Sequence, residues 1–168
     1  MPRYAEVHYP FWIAAPVETV RAQFADLQHH IADNVHPKLR FEILQQTPQG
    51  ARYVQEVRLL GIKQRDVFER RFAADGTMTD TSVEGFNKGG SLSFGFMPQV
   101  EDDRPGTRID VTVRLPLPPV IGGLIRPLLE KQVWREVHTA AMQDKHDIEV
   151  RGYVPKPMDD QKGLRLAA

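Results

Sequence analysis

Residues 120–151, VIGGLIRPLLEKQVWREVHTAAMQDKHDIEVR, decide how this chain folds. Steps of about 100° per residue place Ile125, Leu129, Val133, Val137 and Ala140 on one stripe, with Asp144 near it and Glu136 beside it. Trp134 and His138 point to the opposite side. The segment therefore reads as one long amphipathic helix, and most of the chain before it reads as strands. A sheet of that extent with a single long helix to cover it curls around the helix and leaves space between them. The expected product is a container.

Working back from the helix, Pro116-Leu117-Pro118-Pro119 interrupts the strand pattern and Gly122-Gly123 permits a bend, so this connector is either a movable portal or an ordinary stiff link. Three strands precede it, over residues 78–86, 91–97 and 107–115, with turns at Gly85, Gly89 and Gly90 and at residues 103–106. In the last of them Ile109, Val111, Val113 and Leu115 alternate with Arg108, Asp110, Thr112 and Arg114, giving one apolar and one wet face. At the other end of the chain Ala5, Val7, Tyr9, Phe11 and Ile13 share one face of a first strand. Pro16 suits a first helical position, and Val17, Val20, Phe24, Leu27 and Ile31 follow at helical spacing until His36-Pro37 stops the run. Leu39, Phe41 and Ile43 begin a second strand, which turns at residues 47–50.

Residues 52–72 read as a hairpin turning at Leu60-Gly61. Its register sets Leu59 against Ile62, Glu56 against Arg65 and Arg52 against Glu69, opposite charges worth about 0.2–1 kcal/mol each on a wet face. The other face carries Tyr53, Val57, Leu59, Ile62, Phe68 and Phe72 together with Gln55, Gln64, Asp66 and Arg70. Each of those polar groups would cost about 1–3 kcal/mol if left unpaired in a dry core. The face therefore borders either a hydrated or ligand-filled cavity or an open rim.

The 168 residues form one domain of ordinary size, expected over residues 1–154, with a mobile tail over 155–168 rich in Pro, Asp and Gly. Lysine and arginine number 22 and so do aspartate and glutamate, so no global field draws the chain to nucleic acid. The chain has no cysteine, which removes thiol nucleophiles, disulfides and cysteine-based metal sites. No stretch approaches the roughly 20 apolar residues of a transmembrane helix, and residues 1–15 lack a secretory pattern, so the expected location is the cytoplasm. Oligomeric state is left open. Asn87-Lys88-Gly89-Gly90 lacks the spacing of a phosphate-binding loop and reads as turn chemistry.

This order of elements resembles the START-like or SRPBCC helix-grip superfamily, which includes Bet v 1-like and polyketide cyclase-like proteins, over residues 4–153. The resemblance implies an α+β fold, a curved antiparallel sheet of about seven strands wrapped around the long C-terminal helix, with a cavity beneath it. It also implies lipids, sterols, polyketides or aromatic molecules as ligands, bound by carriers or converted by enzymes. A second resemblance is narrower. Asp26-Leu27-Gln28-His29-His30 followed by His36-Pro37 looks like the iron-binding pattern of ring-hydroxylating oxygenase catalytic domains, and residues 144–153 resemble the end of some such domains. It implies His29 and His36 as ligands of a non-haem iron with Glu136 or Asp144 as the carboxylate, leaving coordination positions open. The His29 to His36 spacing is longer than the pattern's, and a continuous first helix would turn His29 away from its apolar stripe toward the surface.

The preferred expectation is a binding module for a small hydrophobic ligand, with no cofactor. Phe24, Tyr53, Phe68, Phe94, Val133 and Val137 supply apolar wall, and Gln64, Asp66 and Arg70 fix a polar end. The alternatives are a cyclase- or dehydratase-like enzyme with Asp66 as the proton-transfer group, and a mononuclear iron protein.

Overall fold

The computed structural model describes residues 3–156; the expected tail lies almost wholly outside the described residues. The order is β1 (Tyr4–Ile13), α1 (Val17–Ala25), α2 (Leu27–Ala32), β2 (Arg40–Thr47), β3 (Gly50–Leu59), β4 (Ile62–Phe72), β5 (Met78–Gly85), β6 (Ser91–Glu101), β7 (Arg104–Pro116) and α3 (Gly122–Glu149). All seven strands lie in one antiparallel sheet, ordered β1-β7-β6-β5-β4-β3-β2. Register shifts leave an extra residue at Leu44 in β2, opposite β3, and at Val83 in β5, opposite Val67 and Phe68 of β4; such bulges add local bend and twist to the sheet.

Two of the sheet's borders are tied to the helix. Along the edge strand β1, Glu130 accepts from the Glu6 amide, Glu149 accepts from the Ala14 amide, and Lys145 donates to the Trp12 carbonyl. These side chains occupy backbone groups that an unpaired edge would otherwise expose. From the middle of the sheet the β3–β4 hairpin reaches over, and its Leu60 amide donates to Gln132 Oε1 at 2.5 Å. The main core lies between them, with Ile13, Val20, Ile109, Val111, Val113, Leu129, Val133, Ala141 and Ile148 buried.

The β3–β4 register is as read from the residues, with Glu56 opposite Arg65, Arg52 opposite Glu69 and Leu59 opposite Ile62. Arg65 stays exposed and Glu69 partly so, while Gln64, Asp66, Phe68 and Arg70 are buried. Ile62 and Phe72, expected on the inner face, stand exposed at the two ends of the strand.

Two local expectations are corrected, and a third, left between two alternatives, is resolved. The last hairpin turns at Asp102-Asp103, both with positive φ, and Arg104 already pairs with Glu101; two residues suffice there because a left-handed pair matches the strand twist. The first helical run is two helices that end at Ala32, well before His36-Pro37. The break falls at Asp26, whose ψ of 76° leaves the helix and whose carboxylate accepts from the His29 amide, capping a new helix. The connector to α3 is packed and hydrogen-bonded: Gly122 donates to the Pro118 carbonyl, and a Cβ there would meet Leu117 at 2.8 Å. Its glycine serves close approach at this point.

Candidate functional site

Between the concave sheet and α3 lies a cavity of about 190 Å³, larger than the engineered apolar cavities of about 150 Å³ that admit benzene. Aromatic rings build much of its wall. Phe24 meets Phe94 edge-on at 5.7 Å between centroids, and Tyr53 stacks on Phe68 at 5.6 Å. Val133 and Val137 close it from α3, and Met78, Val111 and Leu115 from the sheet. Phe24, Tyr53, Asp66, Phe68, Arg70, Phe94, Val133 and Val137 all line this volume. Gln64 is buried beside it but is not among the lining residues; its amide oxygen accepts from Asn87.

Gln64, Asp66 and Arg70 on the inner face are satisfied by partners from β5 and the turn after it, while Gln55 lines the cavity. Arg70 makes a two-pronged pair with Asp80, Nε to Oδ1 and Nη2 to Oδ2 both at 2.8 Å, and its Nη1 donates to the Phe24 carbonyl at the end of α1. The Tyr53 hydroxyl donates to the same carboxylate at 2.6 Å. Burial would favour loss of the guanidinium's proton, but adjacent Asp80 overrides it and holds the Arg70 pKa above its ordinary value. Burial and the Asp80 charge together push the Tyr53 hydroxyl up.

Asp66 is equally engaged. Its Oδ1 accepts from Ser82 Oγ at 2.9 Å and from the Asn87 amide at 2.6 Å, and its Oδ2 from Asn87 Nδ2 at 2.9 Å. Gly85, at φ +118°, makes this possible, since a Cβ would run into the Arg65 carbonyl and the Asp66 Cα. Asp80, Ser82 and Asn87 were not singled out from the sequence. Met78, Asp80 and Ser82 share one buried face of β5, and Asp80 lies directly opposite Arg70, so a charge match between neighbouring strands was the available signal.

At the α2 side of the cavity the helix break changes what the histidines face. All three are largely buried, which corrects the expectation of a histidine at the surface: a helix restarted at Asp26 turns its residues inward against α3. His29 Nε2 lies 2.6 Å from Asp147 Oδ2, and its Nδ1 lies 3.1 Å from Asp33. His30, His36 and Asp144 form a separate cluster that lines the cavity. Glu136 also lines the cavity but stands outside this cluster.

Each imidazole of that cluster is held by its far nitrogen. His30 Nδ1 donates to the Asp26 carbonyl at 2.8 Å, and His36 Nδ1 lies 2.8 Å from the Gln143 amide oxygen. Both Nε2 atoms are thereby aimed at Asp144 Oδ1, at 3.1 and 3.3 Å. Gln23, fully buried, donates through Nε2 to Asp144 at 2.9 Å and to Asp147 at 3.0 Å, and its own Oε1 has no partner among the described residues. Fixing one ring nitrogen by a hydrogen bond and presenting the other is how proteins orient metal-binding histidines. The three donor atoms lie within 4.8 Å of one another, so two imidazoles and one carboxylate fit a divalent first-row metal without a change of fold.

The same proximity sets the charge of the cluster. Burial alone would strip the His36 proton, but the Asp144 carboxylate outweighs it and raises the pKa. Burial would raise the Asp144 carboxyl, yet His36 and His30 hold it well below the ordinary range. The stabilisation from His36 is full below its unfolded value of 6.5 and is lost as pH rises through the raised folded value. The stabilisation from Asp144 is full above 3.8 and is lost as pH falls through the depressed value. The cluster therefore contributes most between those limits. Urea midpoints measured from pH 5 to 8 should fall more steeply on the alkaline side for the wild type than for Asp144→Asn, and parallel curves would show that the pair is not ionised.

No protein-family model matches the sequence, and no curated protein matches it. Solved structures do match in shape. A Thermus thermophilus protein, TTHA0849, superposes with a TM-score of 0.75 at 22% identity, over 88% of this chain and 99% of that one. A START superfamily protein from Mycobacterium smegmatis gives 0.69 at 17% identity, over 86% and 97%. The ZhuI aromatase/cyclase from a Streptomyces species gives 0.66 at 15% identity, over 90% and 100%. The chain thus has the helix-grip fold shared by START-like, aromatase/cyclase and Bet v 1-like proteins, as its order of elements implied. Likeness at these identities concerns fold alone.

Proposed function

We propose that the protein binds a small apolar molecule, aromatic, polyketide-like or lipid-like, in the cavity between the sheet and α3. The observation that carries this reading is the combination of aromatic and aliphatic walls with inner polar groups that already have partners. A cavity whose Arg70, Asp66 and Tyr53 are satisfied within the chain asks little charge of its ligand and rewards apolar surface. The fold-mates named START and aromatase/cyclase are consistent with such an occupant. Native mass spectrometry of gently purified protein tests it by reporting any retained organic molecule. Val137→Arg should lower affinity for an apolar fluorescent ligand by about tenfold or more, because a charge would be desolvated in the wall. Uptake by neither the purified protein nor a panel of apolar ligands, or equal binding by the variant, removes the reading.

Proton transfer by Asp66, the cyclase-like alternative, is less favoured because three donors already occupy that carboxylate. In our reading Asp66 clamps the turn after β5. Asp66→Asn should cost about 1–3 kcal/mol of stability, since an amide cannot accept from all three donors, while ligand affinity changes little. A stable variant that binds ligand but has lost a measurable turnover would reinstate catalysis.

A second reading is favoured by the convergence of His30, His36 and Asp144 on the cavity wall. These residues would hold a divalent metal, with Asp26 and Gln143 orienting the imidazoles and Gln23 orienting the carboxylate. An iron(II) ion bound by such a set supplies open coordination positions for oxygen and a substrate. The chain's own part is to place an apolar molecule against those positions and to exclude water with Phe24, Phe41 and Leu27. Metal uptake must displace the proton that His36 holds toward Asp144, so affinity falls as pH drops below the raised His36 pKa.

A further inference from the structure

The seam where the β3–β4 hairpin meets α3 carries several exposed aliphatic side chains. Val120, Ile121, Leu124 and Leu128 are 93, 51, 82 and 63% exposed, and Leu60 and Ile62 at the hairpin tip are 41 and 51% exposed. Leu124, Leu128 and Gln132 are spaced four apart and follow one face of α3, and Gln132 is the residue that receives the Leu60 amide. The helix row thus runs into the hairpin tip and makes one apolar patch. A contiguous patch of this kind needs an occupant.

The charges around it choose one. Across residues 58–63 and 117–135 the basic residues are Arg58, Lys63, Arg126, Lys131 and Arg135 and the acidic one is Glu130. Arg126 is paired with Glu130 at 2.8 Å and Lys63 with Glu56 at 3.3 Å, so among the described residues Arg58, Lys131 and Arg135 are the cations here with no acidic partner. A second copy meeting this patch through a two-fold axis would bring the basic rims together, which opposes self-association. An anionic lipid surface satisfies both features, taking the leucines into its acyl boundary and the cations at its headgroups. Among the described residues no helix is long and apolar enough to cross a bilayer, so the contact would be peripheral.

The patch also lies beside the cavity wall. Leu59 and Val133 line the cavity from inside, and their neighbours Leu60 and Gln132 close the seam above them with a hydrogen bond between exposed groups. We propose that this patch docks the protein on anionic membranes and that the apolar ligand exchanges through the seam there. The docking stands on the patch alone; the exchange rests on the apolar-ligand reading.

Co-sedimentation with phosphatidylcholine vesicles, with and without about one-third phosphatidylglycerol, tests the docking. The wild type should bind the anionic vesicles and release at high salt. Leu124→Asp with Leu128→Asp should lose binding about tenfold or more, and Lys131→Glu with Arg135→Glu should lose the preference for anionic lipid. Equal binding by the leucine variant, or no binding by the wild type, overturns the proposal. So does a concentration-dependent dimer that the leucine variant dissolves, or a vesicle-independent complex with an acidic protein. Uptake of an apolar fluorescent ligand without vesicles should be unchanged in both variants. If the wild type takes up none, the cavity reading fails and vesicle binding is judged separately.

Discussion

His36→Ala and Asp144→Ala should each weaken retention of cobalt(II) or iron(II) by about a hundredfold or more, whereas His29→Ala should leave most of it, because His29 faces Asp147 and Asp33 rather than the shared centre. Cobalt(II) absorption and elemental analysis after dialysis measure this without any assay of turnover. Gln143→Ala is the finer test. It removes the group that holds His36 Nδ1 and should cost about 10- to 100-fold, while leaving all three donor atoms in place. If the wild type retains no metal at neutral pH, or if His29→Ala is as damaging as His36→Ala, the cluster is an ordinary buried ion-pair network. The cavity reading would survive that result, since Phe24, Phe94, Val133 and Val137 do not depend on a metal.

Asp80→Ala should lower stability by about 3–5 kcal/mol, among the larger losses open to a single substitution in this chain. It would leave the Arg70 guanidinium 6% exposed with two backbone carbonyls and no counter-charge, and would also remove the acceptor of the Tyr53 hydroxyl. For a domain of this size the melting temperature should fall by roughly 10 °C. Replacing both partners, Arg70→Met with Asp80→Leu, should recover much of the loss, because the penalty comes from an unpaired buried charge more than from a lost attraction. Urea unfolding of the two variants decides it. A loss below about 1 kcal/mol for Asp80→Ala would mean that water reaches Arg70 and that this end of the cavity is wet.

Both tests fall on groups whose meaning came from partners. Asp66 and Arg70 were legible as inward-facing polar residues because alternation along β4 assigns faces without reference to any other element. Their roles were not. A carboxylate beside a cavity and one tied to Ser82 and Asn87 look the same in a strand's own sequence, and only the neighbouring strand separates them. The histidines show the same limit in a helix. Asp26 is a legitimate N-cap in the middle of an apolar-periodic run, but the stripe of Phe24, Leu27 and Ile31 argued for continuity and turned His29 to the surface, while the resemblance to an Asp-x-x-His pattern named His29 as a ligand; the restarted helix sets His30 beside His36 and Asp144 instead.

What the sequence by itself determined is local and periodic: the strand faces, the hairpin register around Leu60-Gly61, the apolar stripe of α3, and through their order a sheet that grips one helix. These follow from repeats of two and of about 3.6 residues, which each segment carries alone. Only the tertiary structure decided which groups meet. His30 and Asp144 are 114 residues apart in the chain, and Gln23 joins Asp144 to Asp147 from a third element. Such encounters depend on bulges, a helix break and the curl of the sheet, where shifts of an ångström or two choose the partner and no periodicity records the choice.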